Sequence, residues 1–377
     1  MNTLRWDPYV LFQDNEIVPF FEKYFNETKE RNILFVLGSG FDVRMNFVLN
    51  RLLSSVSTNN IQCLLIEYHE GSETPSERYR ETIDDNRVKY EKLVNEHSNC
   101  SSESLFIDIW KLEGKEKRRI GDRDISSKIY NYDISKFSDI IIDVSSLPRG
   151  IYFSLIGTLL KKIDSDSSLK QKNLFVAVAE NHEIDSRINE EGIEERIKCI
   201  HGFGGGIEKE ASRKPKVFFP VLGEKKSNEL SRIYTYLNPQ EICPILPFPS
   251  KNLRRSDDLL GDYHKFLFEE VLVESHNILY VPERNPFEMY RILSEAISNY
   301  NQSLDVLGKC NVAVTAFTSK LLTLGVLLAA FEIENGVGVY NLEAQGYTIA
   351  EGDVHILKEL NEHSEIFVMW LNGEAYE

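Results

Sequence analysis

An unbroken apolar run, Ile140-Ile141-Ile142, closes on Asp143 and Val144 and then opens into Ser145-Ser146-Leu147-Pro148-Arg149. Beyond that loop, Ile151, Phe153, Leu155, Ile156, Leu159 and Leu160 recur at helical spacing up to Lys162. A strand that is apolar on successive residues has no face for water, which is the condition of a parallel sheet covered by helices on both sides. The stretch from Asp139 to Lys162 therefore predicts strand, polar loop, helix. In open α/β sheets ligands sit at the carboxyl ends of the strands. Ser145, Ser146 and Arg149 fall at that edge and are candidate ligand contacts.

A second stretch repeats the pattern. Asn311 to Ala316 is apolar, Phe317-Thr318-Ser319-Lys320 is a hydroxyl-rich loop with one cation, and Leu321 to Phe331 is an apolar helix with small residues. The pair suggests an internal repeat. Thr318, Ser319 and Lys320 become candidates by the same argument. Arg149 and Lys320, each just past a buried strand, are expected to converge on one shared anion.

Strand and helix alternate along the rest of the chain. Asn32 to Leu37 is an apolar strand followed by Gly38-Ser39-Gly40-Phe41-Asp42-Val43-Arg44, and Gln62 to Glu67 is the next strand. Glycines at 38 and 40 let backbone N–H groups approach an anion at a helix start. Gly38, Ser39, Gly40, Asp42 and Arg44 are thus candidate ligand contacts, with Glu67 placed to take ribose hydroxyls. A third glycine in the dinucleotide-binding register is absent, since Val43 stands there. In the second half, Pro247 to Arg255 is a proline-stiffened loop carrying Lys251, Arg254 and Arg255. Fixed guanidiniums suit two-pronged recognition of phosphate or carboxylate, so Arg254 and Arg255 join the candidates. Their alternative is pairing with Asp257, Asp258 or Asp262.

The alternation predicts an α/β fold of two Rossmann-like units, with mainly parallel sheets flanked by helices. Gly202 to Gly206 and the polar residues after it predict a linker over 201–215, between an N-terminal domain (1–200) and a C-terminal domain (216–377). Strands at 337–342 and 366–371 are expected to close the second sheet. Prolines at 220 and 244 predict irregular or edge strands there.

Composition narrows the function. The 377 residues carry a formal charge of −16, which opposes bulk nucleic-acid binding while leaving room for a small cationic pocket. The basic segment Lys115 to Arg123 holds five cations among nine residues and reads as an exposed loop balancing nearby acids. No apolar run approaches the roughly eighteen residues of a membrane span, and the start lacks a signal-peptide pattern, so a cytoplasmic protein is expected. The cysteines at 63, 100, 199, 243 and 310 form no CxxC pair, which argues against zinc and against a disulfide framework. Glu180, His182, Glu183 and Asp185 include one nitrogen ligand only, so no metal is expected there.

The segments 139–160 and 311–331 resemble the CRISPR-associated Rossmann-fold sensor domains and their relatives in prokaryotic defence systems. The resemblance implies a nucleotide signal touched by Ser145, Ser146, Arg149, Thr318, Ser319 and Lys320, although the loop 317–320 lacks the glycine common in such domains. Residues 36–44 also resemble the first turn of class I methyltransferases, but no acceptor-site motif follows. Three readings result. The first is a sensor or regulatory subunit that binds a nucleotide-type or other anionic small molecule and works with a protein partner or as a homo-oligomer. The second is an enzyme, either a methyltransferase using S-adenosylmethionine or a phosphate-handling hydrolase using Asp42, Asp143, His201 or Glu224. The third is a scaffold subunit.

Overall fold

The computed structural model describes residues 3–26, 31–56, 59–69, 75–113, 116–194, 196–204, 214–333, 336–350 and 353–376. In chain order the first strands are β1 (Val10–Gln13), β2 (Asn32–Gly38), β3 (Asn60–His69), β4 (Cys100–Asp108), β5 (Trp110–Glu113), β6 (Glu116–Arg119), β7 (Asp139–Asp143), β8 (Asn173–Glu180) and β9 (Ile188–Ile193). The remainder are β10 (Lys198–Gly204), β11 (Lys216–Val221), β12 (Glu241–Ile242), β13 (Ile245–Pro247), β14 (Leu279–Val281), β15 (Asn311–Ala316), β16 (Val337–Asn341), β17 (Ala344–Ile349) and β18 (Glu365–Asn372).

Two compact units emerge. The first comprises Pro8–Ile193 with Ala344–Glu377, and the second Met1–Asp7 with Glu194–Glu343. The first unit has a seven-stranded sheet in the order β1-β18-β8-β7-β2-β3-β4. Its five parallel strands, counted along the chain, lie in the order 3-2-1-4-5, and β18 and β1 add antiparallel on one side. The second unit has the order β10-β16-β15-β11-β13-β14, with β12 also beside β11. Its parallel strands follow the same 3-2-1-4-5 order, with β10 antiparallel at the edge. The fold is α/β with two mainly parallel sheets flanked by helices, and β7 and β15, the two strands of the sequence repeat, occupy the same place in their sheets.

The division differs from the contiguous domains expected at 1–200 and 216–377. Residues 344–377 return to the first unit, where β18 pairs with β8 from Glu365↔Glu180 to Asn372↔Leu174. The six residues from Ile366 to Leu371 are all buried, and such a strand carries no mark of which sheet it belongs to. Of the expected linker 201–215, residues 201–204 are in β10 and 205–213 lie outside the described residues.

Pro220 and Pro244 predicted irregular or edge strands. β11 lies inside its sheet, and the irregularity falls on its partner, which is split into β12 and β13. The register Phe218↔Ile242 and Val221↔Ile245 sets Pro220 opposite Pro244, at the gap between β12 and β13. Cys243 N–H donates to the Phe218 carbonyl and Leu222 N–H to the Ile245 carbonyl, so alternate residues of β11 face this partner. The donor that Pro220 lacks thus falls where the ladder is already interrupted.

Candidate functional site

Each sheet reverses its strand order beside its central strand, between β2 and β7 in the first unit and between β11 and β15 in the second. Such a switch point opens a crevice at the carboxyl ends of the strands. In the first unit the loops that meet there are 38–42 and 144–149. A Cβ on Gly38 would lie 2.6 Å from Leu147 Cδ2 and 2.6 Å from the Tyr68 phenol oxygen, so a side chain at 38 would push the loops apart. The Ser146 hydroxyl donates to the Gly38 carbonyl at 2.7 Å and ties one loop to the other. Ser39 is buried, with its N–H on the Ile66 carbonyl at 2.8 Å. Asn86, also buried, donates to the carbonyls of Gly40 and Asp42 at 3.0 Å each. Gly40 and Ser146 are only partly buried.

Arg149 is half-buried and is the first residue of the helix Arg149–Ser165. The positive dipole end of this helix lies at the same edge, where Arg149 is its first residue. Ser145 departs from expectation. It is fully buried; its hydroxyl donates to Asp143 and accepts from Ala179 N–H at 2.8 Å, which joins the β7 loop to β8.

Three further candidates are engaged elsewhere. Arg44 is 3% exposed and pairs with Asp42 and Asp185, each at 2.8 Å. Burial pulls its pKa down, but the two carboxylates outweigh that and hold it well above the ordinary arginine value. Asp42 meanwhile accepts the Arg44 backbone N–H at 3.0 Å and starts the turn Val43–Asn46. The pair clasps the β2 loop to the helix His182–Arg187. Glu67 does not end its strand, since β3 runs on to His69; it pairs with Arg87 of the helix Arg80–Glu96 at 2.6 Å. The expected ribose contact is therefore taken up by an arginine on the flank of the sheet.

In the second unit Gly223 stands where Gly38 stands in the first. Its Cβ would fall 1.5 Å from the Phe317 carbonyl oxygen, so backbone meets backbone. Lys320 begins the helix Lys320–Glu332, and Ser319 caps it by accepting the Leu322 N–H at 3.3 Å. Thr318 is half-buried, and its hydroxyl oxygen is shielded from water with no hydrogen bond. Arg254 is exposed and precedes the helix Arg255–Asp262. Arg255 departs from expectation: its guanidinium bonds Glu224 at 2.7 and 3.0 Å and also pairs with Glu283. Burial lowers its pKa, yet Glu224 and Glu283 together raise it. Arg149 and Lys320 belong to separate units, each as the first residue of the helix that follows the β7 or β15 strand.

The residues proposed for hydrolysis are likewise engaged or dispersed. Asp42 and Glu224 pair with arginines, Asp143 accepts from both Ser145 N–H and Oγ, and His201 is exposed on β10. Among the described residues no group of three or more His, Cys, Asp or Glu could hold a metal ion. No helix among them is long and apolar enough to cross a membrane.

Sequence reasoning missed the glycine correspondence, although its signal was present: Val36-Leu37-Gly38 ends β2, and the same triplet, Val221-Leu222-Gly223, leads out of β11. It also missed the aromatic rings beside the first crevice. Phe41, Tyr79 and Tyr347 form a cluster with centroids 5.0 Å (Phe41 to Tyr79) and 5.9 Å (Phe41 to Tyr347) apart. They come from three distant segments, so no local pattern joins them.

No protein-family model matches the chain, and no curated protein matches it in sequence. Among solved structures, the chain is similar to a type III CRISPR defence DNA nuclease activated by cyclic oligoadenylate, at 9% identity and a TM-score of 0.45, over 87% of this chain and 70% of that one. It is also similar to a universal stress protein from Archaeoglobus fulgidus DSM 4304, at 10% identity and a TM-score of 0.22, over 81% of this chain and 94% of that one. Likenesses this distant carry no argument about activity, and the α/β architecture rests on the chain's own strand order.

Proposed function

We propose that the chain is a sensor or regulatory subunit which binds a nucleotide-type anionic small molecule in the crevice of the first unit. One observation carries the reading: the Gly38–Asp42 loop and the Ser145–Arg149 loop meet at the strand-order reversal, with Arg149 at the head of a 17-residue helix. A glycine-lined loop opposite a helix start is suited to an anion, because backbone dipoles and a guanidinium act on it together. A binding role is favoured over catalysis because Asp42, Asp143 and Glu224 are held by arginine or serine. A place in prokaryotic antiviral defence rests on the sequence resemblance of the two strand–helix patches alone.

Titration calorimetry with ATP, NAD, S-adenosylmethionine and cyclic oligonucleotides tests the reading. ATP, NAD or a cyclic oligonucleotide should bind, and Arg149→Ala should weaken it by roughly tenfold, the loss expected for a charge-assisted hydrogen bond. Binding that is indifferent to Arg149→Ala, absent for all three anionic classes, or shown by S-adenosylmethionine alone overturns it.

A further inference from the structure

We propose that Phe41, Tyr79 and Tyr347 form a stacking platform for a nucleobase, so that the crevice of the first unit takes a nucleoside phosphate and discriminates it from a bare polyphosphate. The inference rests on the anion-binding reading above and adds the ligand's other half.

Phe41 directly follows Gly40, whose Cβ would lie 4.0 Å from the Ser146 carbonyl oxygen, so the ring borders the place where the two loops meet. The Phe41 ring is tilted 36° to Tyr79 and 50° to Tyr347. Rings packed at such angles do not cover one another's faces fully. Phe41 and Tyr347 are only half-buried, whereas Tyr79 beneath is 8% exposed.

The platform is held from several sides. The Tyr79 phenol oxygen accepts the Ile349 N–H at 2.7 Å, which pins one end of β17. Arg119 donates to the Ala344 carbonyl at 3.2 Å at the other end, while its guanidinium lies over the Trp110 ring of its own hairpin, 5.4 Å from the centroid. Along its length β17 pairs with β9, Tyr347 opposite Glu190. Asn86 fixes the carbonyls on both sides of Phe41. Rings whose positions are set before binding lose little entropy when a base stacks on them. Base–aromatic stacking also tolerates every base, since each has a π-face. Phosphate at Arg149 and base at Phe41 would place the two halves of one ligand on the two loops that the Ser146–Gly38 hydrogen bond ties together.

The test measures ATP, GTP and inorganic tripolyphosphate by calorimetry on the full chain, its Phe41→Leu and Phe41→Trp variants, and Arg149→Ala. Leucine keeps apolar volume but removes the π-face; tryptophan keeps both. The expected result is that the nucleotides bind wild type roughly fivefold or more tightly than tripolyphosphate. Phe41→Leu should erase that preference with tripolyphosphate unchanged, Phe41→Trp should retain it, and Arg149→Ala should weaken all three. Equal affinities for nucleotide and tripolyphosphate, unmoved by Phe41→Leu, overturn the platform and leave the anion site standing. Failure of all three to bind overturns the platform, and the anion site falls with it only if NAD and cyclic oligonucleotides also fail to bind.

Discussion

At the scale of single residues, two glycines do the same job with different tolerances. Gly38 ends β2 against the far end of the Leu147 side chain and the Tyr68 phenol, whereas Gly223, two residues past β11, lies against the Phe317 main chain. A side chain can rotate away from an added methyl; a carbonyl held in a sheet-end loop moves only with its neighbours. Gly38→Ala is expected to destabilise by about 1–3 kcal/mol, in the range of an overpacked core. Gly223→Ala should cost more, because its contact at 1.5 Å forces backbone displacement. Urea midpoints of the two variants check the ranking, and an equal or reversed order would contradict the close approach at Gly223.

At the scale of elements, the end of the chain is fastened by charge. Arg31 pairs with buried Asp139 at 3.1 Å and with Glu374 at 3.1 Å, and Glu374 N–H also bonds the Asn173 side chain at 2.9 Å. Burial raises the Glu374 carboxyl, but the bonds from Arg31 and its charge prevail and hold it below the ordinary value of 4.5. A carboxyl with a depressed folded pKa contributes stability that is complete above its unfolded value and fades as pH falls through the folded one. Burial raises Asp139, ahead of the lowering bonds from Ser138 and Arg31, so its own contribution runs the opposite way in acid. Wild type should therefore melt above Glu374→Gln at neutral pH, and the gap should close below about pH 4.5. Melting curves from pH 3 to 7, taken at low and at high salt, measure the gap; a difference constant across pH would rule the clasp out. The same elements show what was legible in advance. β2, β7, β8 and β15 announced themselves by unbroken apolar runs, and their loops by glycine, serine and proline. The partner of β18 did not, because a strand buried on both faces fits either sheet. Arg44, Glu67 and Arg255 looked like ligand contacts because the opposite charges that engage them, Asp185, Arg87 and Glu283, lie far along the chain.

At the scale of the whole molecule, the second unit is, apart from its first seven residues, an insertion in the first. The chain leaves after Ile193 and re-enters at Ala344, and these two residues are register partners in the antiparallel pair of β9 and β17. The ends of the insertion are thus already as close as the two sides of a hairpin, which a two-residue Asn-Gly turn can join. Every strand of the seven-stranded sheet comes from Pro8–Ile193 or Ala344–Glu377, so that sheet needs nothing from the excised stretch. A chain of residues 8–193 joined through Asn-Gly to 344–377 is expected to fold and unfold cooperatively, with circular dichroism showing one denaturant transition. A chain cut to 8–193 alone should not, because it lacks β18, the strand that separates β8 from β1. If the shorter chain were as stable as the joined one, the return of 344–377 to the first sheet would be wrong. The same joined chain retains Phe41, Tyr79, Tyr347 and Arg149, so it should bind whatever the full chain binds in that crevice, at an affinity within about threefold.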